Sequence, residues 1–167
     1  MTRIISTIAD FPNTPAVYAL IGGRGRGQHI AYVGVAGKLK NRIKQHLVRR
    51  DSSVVAGNAA ARLDPDAVTE VLWWEHPEFE ERPTLEAAEM VAFDVLDPAL
   101  RSRGLPQGQV KDLVSEEAFV AEMKSVFEGE PTGSYRVISL DDALERISEL
   151  ESRVKILEDE VRMLSSR

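Results

Sequence analysis

AYVGVAGKLKNRIKQHL, residues 31–47, decides how the chain is read. An apolar and aromatic run stops at Gly34, a small-residue loop follows, and from Lys38 the spacing predicts a helix to about Arg50. At about 100° per residue, Leu39, Ile43 and Leu47 form one apolar stripe. Lys38, Arg42, His46 and Arg49 fall within an arc of about 80° beside it. One helix face is apolar and its neighbour cationic, directly after a short strand.

That charge is concentrated. The whole chain of 167 residues carries a net charge of -6, yet no Asp or Glu occurs from Phe11 to Arg50. The same window holds Arg24, Arg26, Lys38, Lys40, Arg42, Lys44, Arg49 and Arg50. A basic segment on an acidic body is the electrostatic footprint of a polyanion partner. The alternative is a solvated charged face.

Outward from this stretch, AVYALIGG after Pro15 reads as a strand and His29-IAYVG as a second. Their short Gly-rich link, GGRGRGQ, fits a hairpin, because parallel strands need a longer crossover. The link is not a dinucleotide loop, since no helix follows it. Asp51 to Pro65 reads as loop with a short helix near Asn58. Val68-TEVLWW is a third strand, with one tryptophan expected in the core and the other on a half-covered face. Thr84 is the expected N-cap of a helix from Leu85 to Leu96, stopped by Asp97-Pro98. RSRGLPQGQ reads as loop, and Ser115 is the expected cap of a further helix to about Phe127. Tyr135-RVIS reads as a short extended piece.

The C-terminal segment is a heptad array. Leu140, Ile147, Val154 and Val161 occupy a positions, and Ala143, Leu150, Leu157 and Leu164 occupy d positions. Arg146 and Arg153 at g and Glu151 and Glu158 at e have opposite signs, as a parallel homodimer through residues 140–164 requires. The alternative is a lone amphipathic helix. The expected organisation is a domain over 1–130, a linker over 131–139 and a coiled-coil helix over 140–167.

Glu89 breaks the pattern of its helix. Leu85, Ala92, Phe93 and Leu96 lie within about 60° of it on the wheel. A carboxylate there costs several kcal/mol unless it is paired, as with Arg42, or binds a metal. His29, His46 and His76 have no zinc-ligand spacing, and cysteine is absent, which excludes disulfides and thiolate metal sites. The expected class is a cytoplasmic protein without a membrane span or signal peptide.

Ala16-Val17-Tyr18 on one strand, Tyr32-Val33-Gly34 on the next, and Arg42 and His46 on the following helix resemble the GIY-YIG nuclease family. Glu89, with Pro98 nine residues on, matches the metal-binding glutamate of that family's excision-repair members. Ala16, Val17 and Val33 depart from the usual triplets, and Arg101 stands where many members have Asn. The likeness covers about Pro12 to Gly104. It implies an α/β (α+β) fold with a small antiparallel sheet flanked by helices. It also implies an endonuclease that hydrolyses DNA, RNA not being excluded, with one Mg²⁺ or Mn²⁺ on Glu89. In that reading Arg42 clamps the phosphate, Tyr18 or Tyr32 positions or deprotonates water, and His46 assists. Lys38, Lys40, Lys44, Arg24, Arg26 and Arg49 would meet the flanking nucleic acid. The competing expectations are an inactive nucleic-acid-binding module and a partner-docking protein built around the coiled coil.

Overall fold

The computed structural model describes residues 1–23, 27–51, 63–100, 105–138 and 140–165. The chain divides into two compact units, Met1–Val137 and Ile138–Arg167.

The first unit is α+β. Its strands are β1 (Arg3–Ile5), β2 (Ala16–Gly22), β3 (His29–Ala36), β4 (Val68–Trp74) and β5 (Gly133–Arg136). They form one sheet in the order β1-β5-β4-β2-β3. β2 pairs antiparallel with β3 and β4, and β4 antiparallel with β5, whereas β1 and β5 are parallel. The expected antiparallel sheet is therefore mixed. The parallel pair joins residues about as far apart in sequence as the unit allows, and neither short strand has a periodicity of its own to announce it. β5 also runs through the segment expected as a linker.

β3 does not end at Gly34 but continues to Ala36. β2 is an interior strand between β4 and β3, and all seven of its residues are buried. Its side chains alternate between two cores. Val17, Ala19 and Ile21 face one, and Ala16, Tyr18 and Leu20 the other. Both tryptophans of β4 are buried, one in each core, so neither face is half-covered there. Trp73 stacks near Phe11, with centroids 5.0 Å apart, and its indole lies where a Cβ on Gly133 would be. Trp74 meets Phe127 edge-on at 5.8 Å.

The helices of this unit are α1 (Leu39–Lys44), α2 (Arg82–Leu96), α3 (Gly108–Ser115) and α4 (Glu117–Glu128). α2 starts three residues before the expected Leu85: Pro83 sits in its first turn, where fixed φ favours helix, and Glu81 rather than Thr84 is the boundary. It ends with Asp97 in the left-handed region, φ 46°, whose N–H returns to Phe93 O. α3 occupies part of the expected loop. Ser115 closes it instead of opening the next helix, its hydroxyl donating to Lys111 O at 2.8 Å. α2 and α4 supply Leu85, Val91, Phe119, Met123 and Phe127 to the core beneath Val17 and Ala19. The expected short helix near Asn58, and Arg101 with Gly104, lie outside the described residues.

The second unit is one helix, α5 (Leu140–Ser165), of 26 residues. No helix among the described residues is long and apolar enough to cross a membrane.

Candidate active site

The β2–β3 register pairs Tyr18 with Gly34 and Leu20 with Tyr32. Paired residues share a face, so Tyr18 and Tyr32 are diagonal neighbours on the α1 side of the sheet. Their ring centroids are 6.0 Å apart. The reason Gly34 sits inside a strand is visible here. A Cβ at Gly34 would lie 2.8 Å from both tyrosine hydroxyls and 2.7 Å from Tyr32 Cε1. The missing side chain is what lets two phenols converge over the strand. A glycine within a β-rich run is a sequence signal for such close approach, and it was available at Gly34.

α1 is seated by Leu39 and Ile43, both fully buried. Two of its first N–H groups are satisfied by the preceding chain, Leu39 N on Thr14 O and Lys40 N on Pro12 O, each at 3.1 Å. After Lys44 the helix widens to a π-turn, Gln45–Arg49, closed by Arg50 in the left-handed region at φ 57°. This changes the expected stripe. His46 is 0% exposed and takes the inward place, while Leu47 is half-buried. The His46 ring lies 5.5 Å from Tyr18 and 5.8 Å from Tyr32, centroid to centroid. His46 thus belongs to the interior and not to a cationic face.

The Tyr18 oxygen is the centre of a hydrogen-bond network. His46 Nε2 lies 2.6 Å from it, and Arg42 Nε donates to it at 3.3 Å. Arg42 Nη1 donates to Gln45 Oε1 at 3.2 Å, a bond that fixes the guanidinium from its own helix. Gln45 carried no signal in the sequence, because a polar residue on a short helix is unremarkable until its partner is known.

Burial sets the protonation states. Desolvation, then the Arg42 charge, lowers the His46 pKa to about 3, so the ring is neutral. Desolvation raises the Tyr18 phenol well above its ordinary value. Tyr32 is raised by desolvation first and then by the Glu89 carboxylate, with Arg42 opposing. Glu89 is half-buried and raised to about 7, by desolvation first and Glu86 second; Arg82 and Arg42 pull the other way. Among the described residues, Glu89 forms no salt bridge with Arg42; they interact at longer range. Tyr18, Tyr32, Arg42, His46 and Glu89 form one electrostatic group.

Glu89 reaches this group from the opposite core. α2 packs on the Val17 and Val33 side, whereas the tyrosines face α1. β3 is the outermost strand, and the chain after α2 runs along it: Ala99 N donates to Ile30 O and Leu100 N to Ala31 O, each at 2.9 Å. Leu96 packs in one core and Leu100 in the other. The segment that follows Pro98 therefore passes from face to face around the β3 edge.

The expected nucleic-acid contacts are distributed unevenly. Lys38 and Arg49 are exposed and Lys44 is half-buried. Lys40 donates through Nζ to Ala9 O, which ties it to the N-terminal segment. Arg24 and Arg26 lie outside the described residues.

No cluster of three or more His, Asp or Glu side chains that could hold a metal occurs among the described residues. A Mg²⁺ ion does not require one, since it keeps several waters and binds through one or two carboxylates plus substrate phosphate. Glu89 suits that role: a desolvated carboxylate titrating near neutrality is relieved by a divalent cation. The chain matches no protein-family model, and it has no significant match among curated proteins or solved structures.

Proposed function

We propose that the protein is a metal-dependent endonuclease of the GIY-YIG type, hydrolysing phosphodiester bonds in DNA. The observation that carries the reading is the convergence of Tyr18, Tyr32, Arg42 and a neutral His46 with the half-buried Glu89 that acts electrostatically on Tyr32. Phosphodiester hydrolysis needs an electrophile, a positioned water and a cation for the pentavalent transition state. A Mg²⁺ or Mn²⁺ ion on Glu89 supplies the electrophile when bound.

The other roles follow from exposure. Tyr18 is 0% exposed and holds Arg42 and His46 in place, so it organises the site from behind. Tyr32 is only partly buried and is the phenol that reaches water. Its raised pKa keeps it protonated at neutral pH, so it orients the water through its hydroxyl and gives up its proton only with cationic help nearby. Arg42 remains charged and directs its donors at phosphate oxygens. Lys38 and Arg49 hold the flanking backbone through salt-dependent contacts.

A second reading is a nucleic-acid-binding module without catalysis. The complete burial of both Tyr18 and His46 favours it, since groups sealed from solvent serve packing equally well.

Supercoiled plasmid incubated with wild type and Glu89→Ala, with Mg²⁺, Mn²⁺ or EDTA, separates the two. Metal-dependent nicking or linearisation that falls at least about 100-fold in the variant supports the nuclease. Salt-sensitive binding of DNA with no cleavage under any metal supports the module.

A further inference from the structure

We propose that α5 is one strand of a parallel, in-register, two-stranded coiled coil, so that the partner recognised by this surface is a second copy of the same chain. The inference is independent of the nuclease reading.

α5 is uninterrupted for 26 residues, about 39 Å at 1.5 Å per residue. Ile147, Leu150, Val154, Leu157 and Leu164 are between 45% and 72% exposed on it. They lie on a single a/d seam with the seven-residue period of a supercoil. Most helical stability in proteins comes from packing an amphipathic face, so the seam needs a cover.

The chemistry of the seam and its flanks identifies the cover. β-branched Ile147, Val154 and Val161 at a, with Leu150, Leu157 and Leu164 at d, select two strands over three or four. The flanks then select orientation. In a parallel pair, Arg146 at g faces Glu151 at e of the second copy, and Arg153 faces Glu158. An antiparallel pair sets g against g and e against e. With the seams fully overlapped, that puts Arg153 opposite Arg153 and Glu151 opposite Glu151, leaving only Arg146 opposite Glu160 attractive, whereas the parallel pair has Arg–Glu pairs and no like-charge pair and is favoured. Arg146 bonds Glu149 on its own helix. Both side chains of that pair are exposed, so the bond is weak and exchanges readily for one across the seam. The parallel coil also attaches both copies of the Met1–Val137 unit at the same end, a consequence of chain connectivity alone.

The chain has no cysteine, so a single introduced one reports orientation without background. Full-length Ala143→Cys, at the first d position, is expected to form an interchain disulfide on mild oxidation. Light scattering is expected to give about twice the 18.5 kDa chain mass for wild type. R146E/R153E and, separately, E151R/E158R are expected to weaken self-association by about tenfold or more, and an equimolar mixture is expected to restore the dimer as a heterodimer. These changes are on exposed positions, so circular dichroism is expected to show the globular unit intact. A wild type that stays monomeric at tens of micromolar overturns the proposal. So does failure of the mixture to recover association. Cross-linking only between Ala143→Cys and Val161→Cys chains, the d and a positions that an antiparallel pair brings opposite, overturns the parallel orientation.

Discussion

Along β2, Val17, Ala19 and Ile21 point into one core, and Ala16, Tyr18 and Leu20 into the other. The first core meets α2 and α4 with aliphatic and aromatic side chains. The second meets α1 and carries a buried phenol and imidazole, with a second phenol and a guanidinium partly buried beside them. Both cores bury apolar area at the usual gain of about 25 cal/mol per Å². Each core buries one indole N–H without a hydrogen-bond partner, Trp74 in the first and Trp73 in the second, but the second also carries a polar network joined through the Tyr18 oxygen. The difference teaches where this domain accepts a stability cost. One face of the sheet is packed by apolar side chains with Glu89 on α2, and the other accepts the desolvated Tyr18 and His46.

The comparison is tested first by acid. His46 is neutral when folded, with a pKa lowered to about 3, against about 6.5 when unfolded. A depressed histidine pKa means its contribution is fully present above about pH 6.5 and is lost as pH falls toward 3. The loss is expected to be roughly 3–5 kcal/mol over that window. Denaturant titrations from pH 7.5 to 4 check it as the wild-type loss relative to His46→Gln, because Glu89, raised to about 7, gains stability over part of the same window in both proteins. Equal acid slopes in the two proteins would mean the imidazole is not held neutral by the fold.

The apolar core is tested by volume. Met123 is fully buried there, and Met123→Ala is expected to cost about 2–5 kcal/mol in urea unfolding. Cleavage per folded molecule is expected to be unchanged, because the deletion lies across the sheet from the tyrosines.

The smallest expected cost in stability falls on the site face. Gly34→Ala puts a methyl group against both hydroxyls, and the displaced side chains are expected to cost about 1–3 kcal/mol. Its signature is a loss of cleavage out of proportion to that cost, read as kcat at a temperature where the variant is fully folded. Met123→Ala and Gly34→Ala thus move stability and activity in opposite proportion. If they moved both alike, the two faces would not be distinct in function.

Strong periodicity marked β2, β3, β4 and α2, since each buries a face long enough to leave a period in the residue order, and the heptads marked α5, whose apolar seam is exposed. The grouping of Tyr18, Tyr32, Arg42 and His46 came instead from the family resemblance, since the regular helical repeat put His46 on the cationic face and the π-turn turns it inward. The expected apolar surroundings of Glu89 hold as well: Leu85, Ala92 and Phe93 are buried. The caps were less legible. Thr84 and Ser115 have the right chemistry for N-caps, but Pro83 opens α2 earlier, and Ser115 finds an acceptor one turn behind it. β1 and α3 were not visible, being too short to carry a period, and β5 was read only as a short extended piece from Tyr135.

By itself, the residue order determined the alternating strands, the basic segment without acids, the carboxylate among apolar neighbours and the heptad seam. Each of these is a property of neighbours within about two turns or a few strand residues. Tertiary structure alone decided that the sheet is mixed and that His46 turns inward on a π-turn. It likewise decided that Gly34 is clearance for two hydroxyls and that the chain beyond Pro98 wraps the β3 edge. Those outcomes depend on which distant groups compete for the same space and the same hydrogen bonds, and that competition exists only once the sheet is assembled.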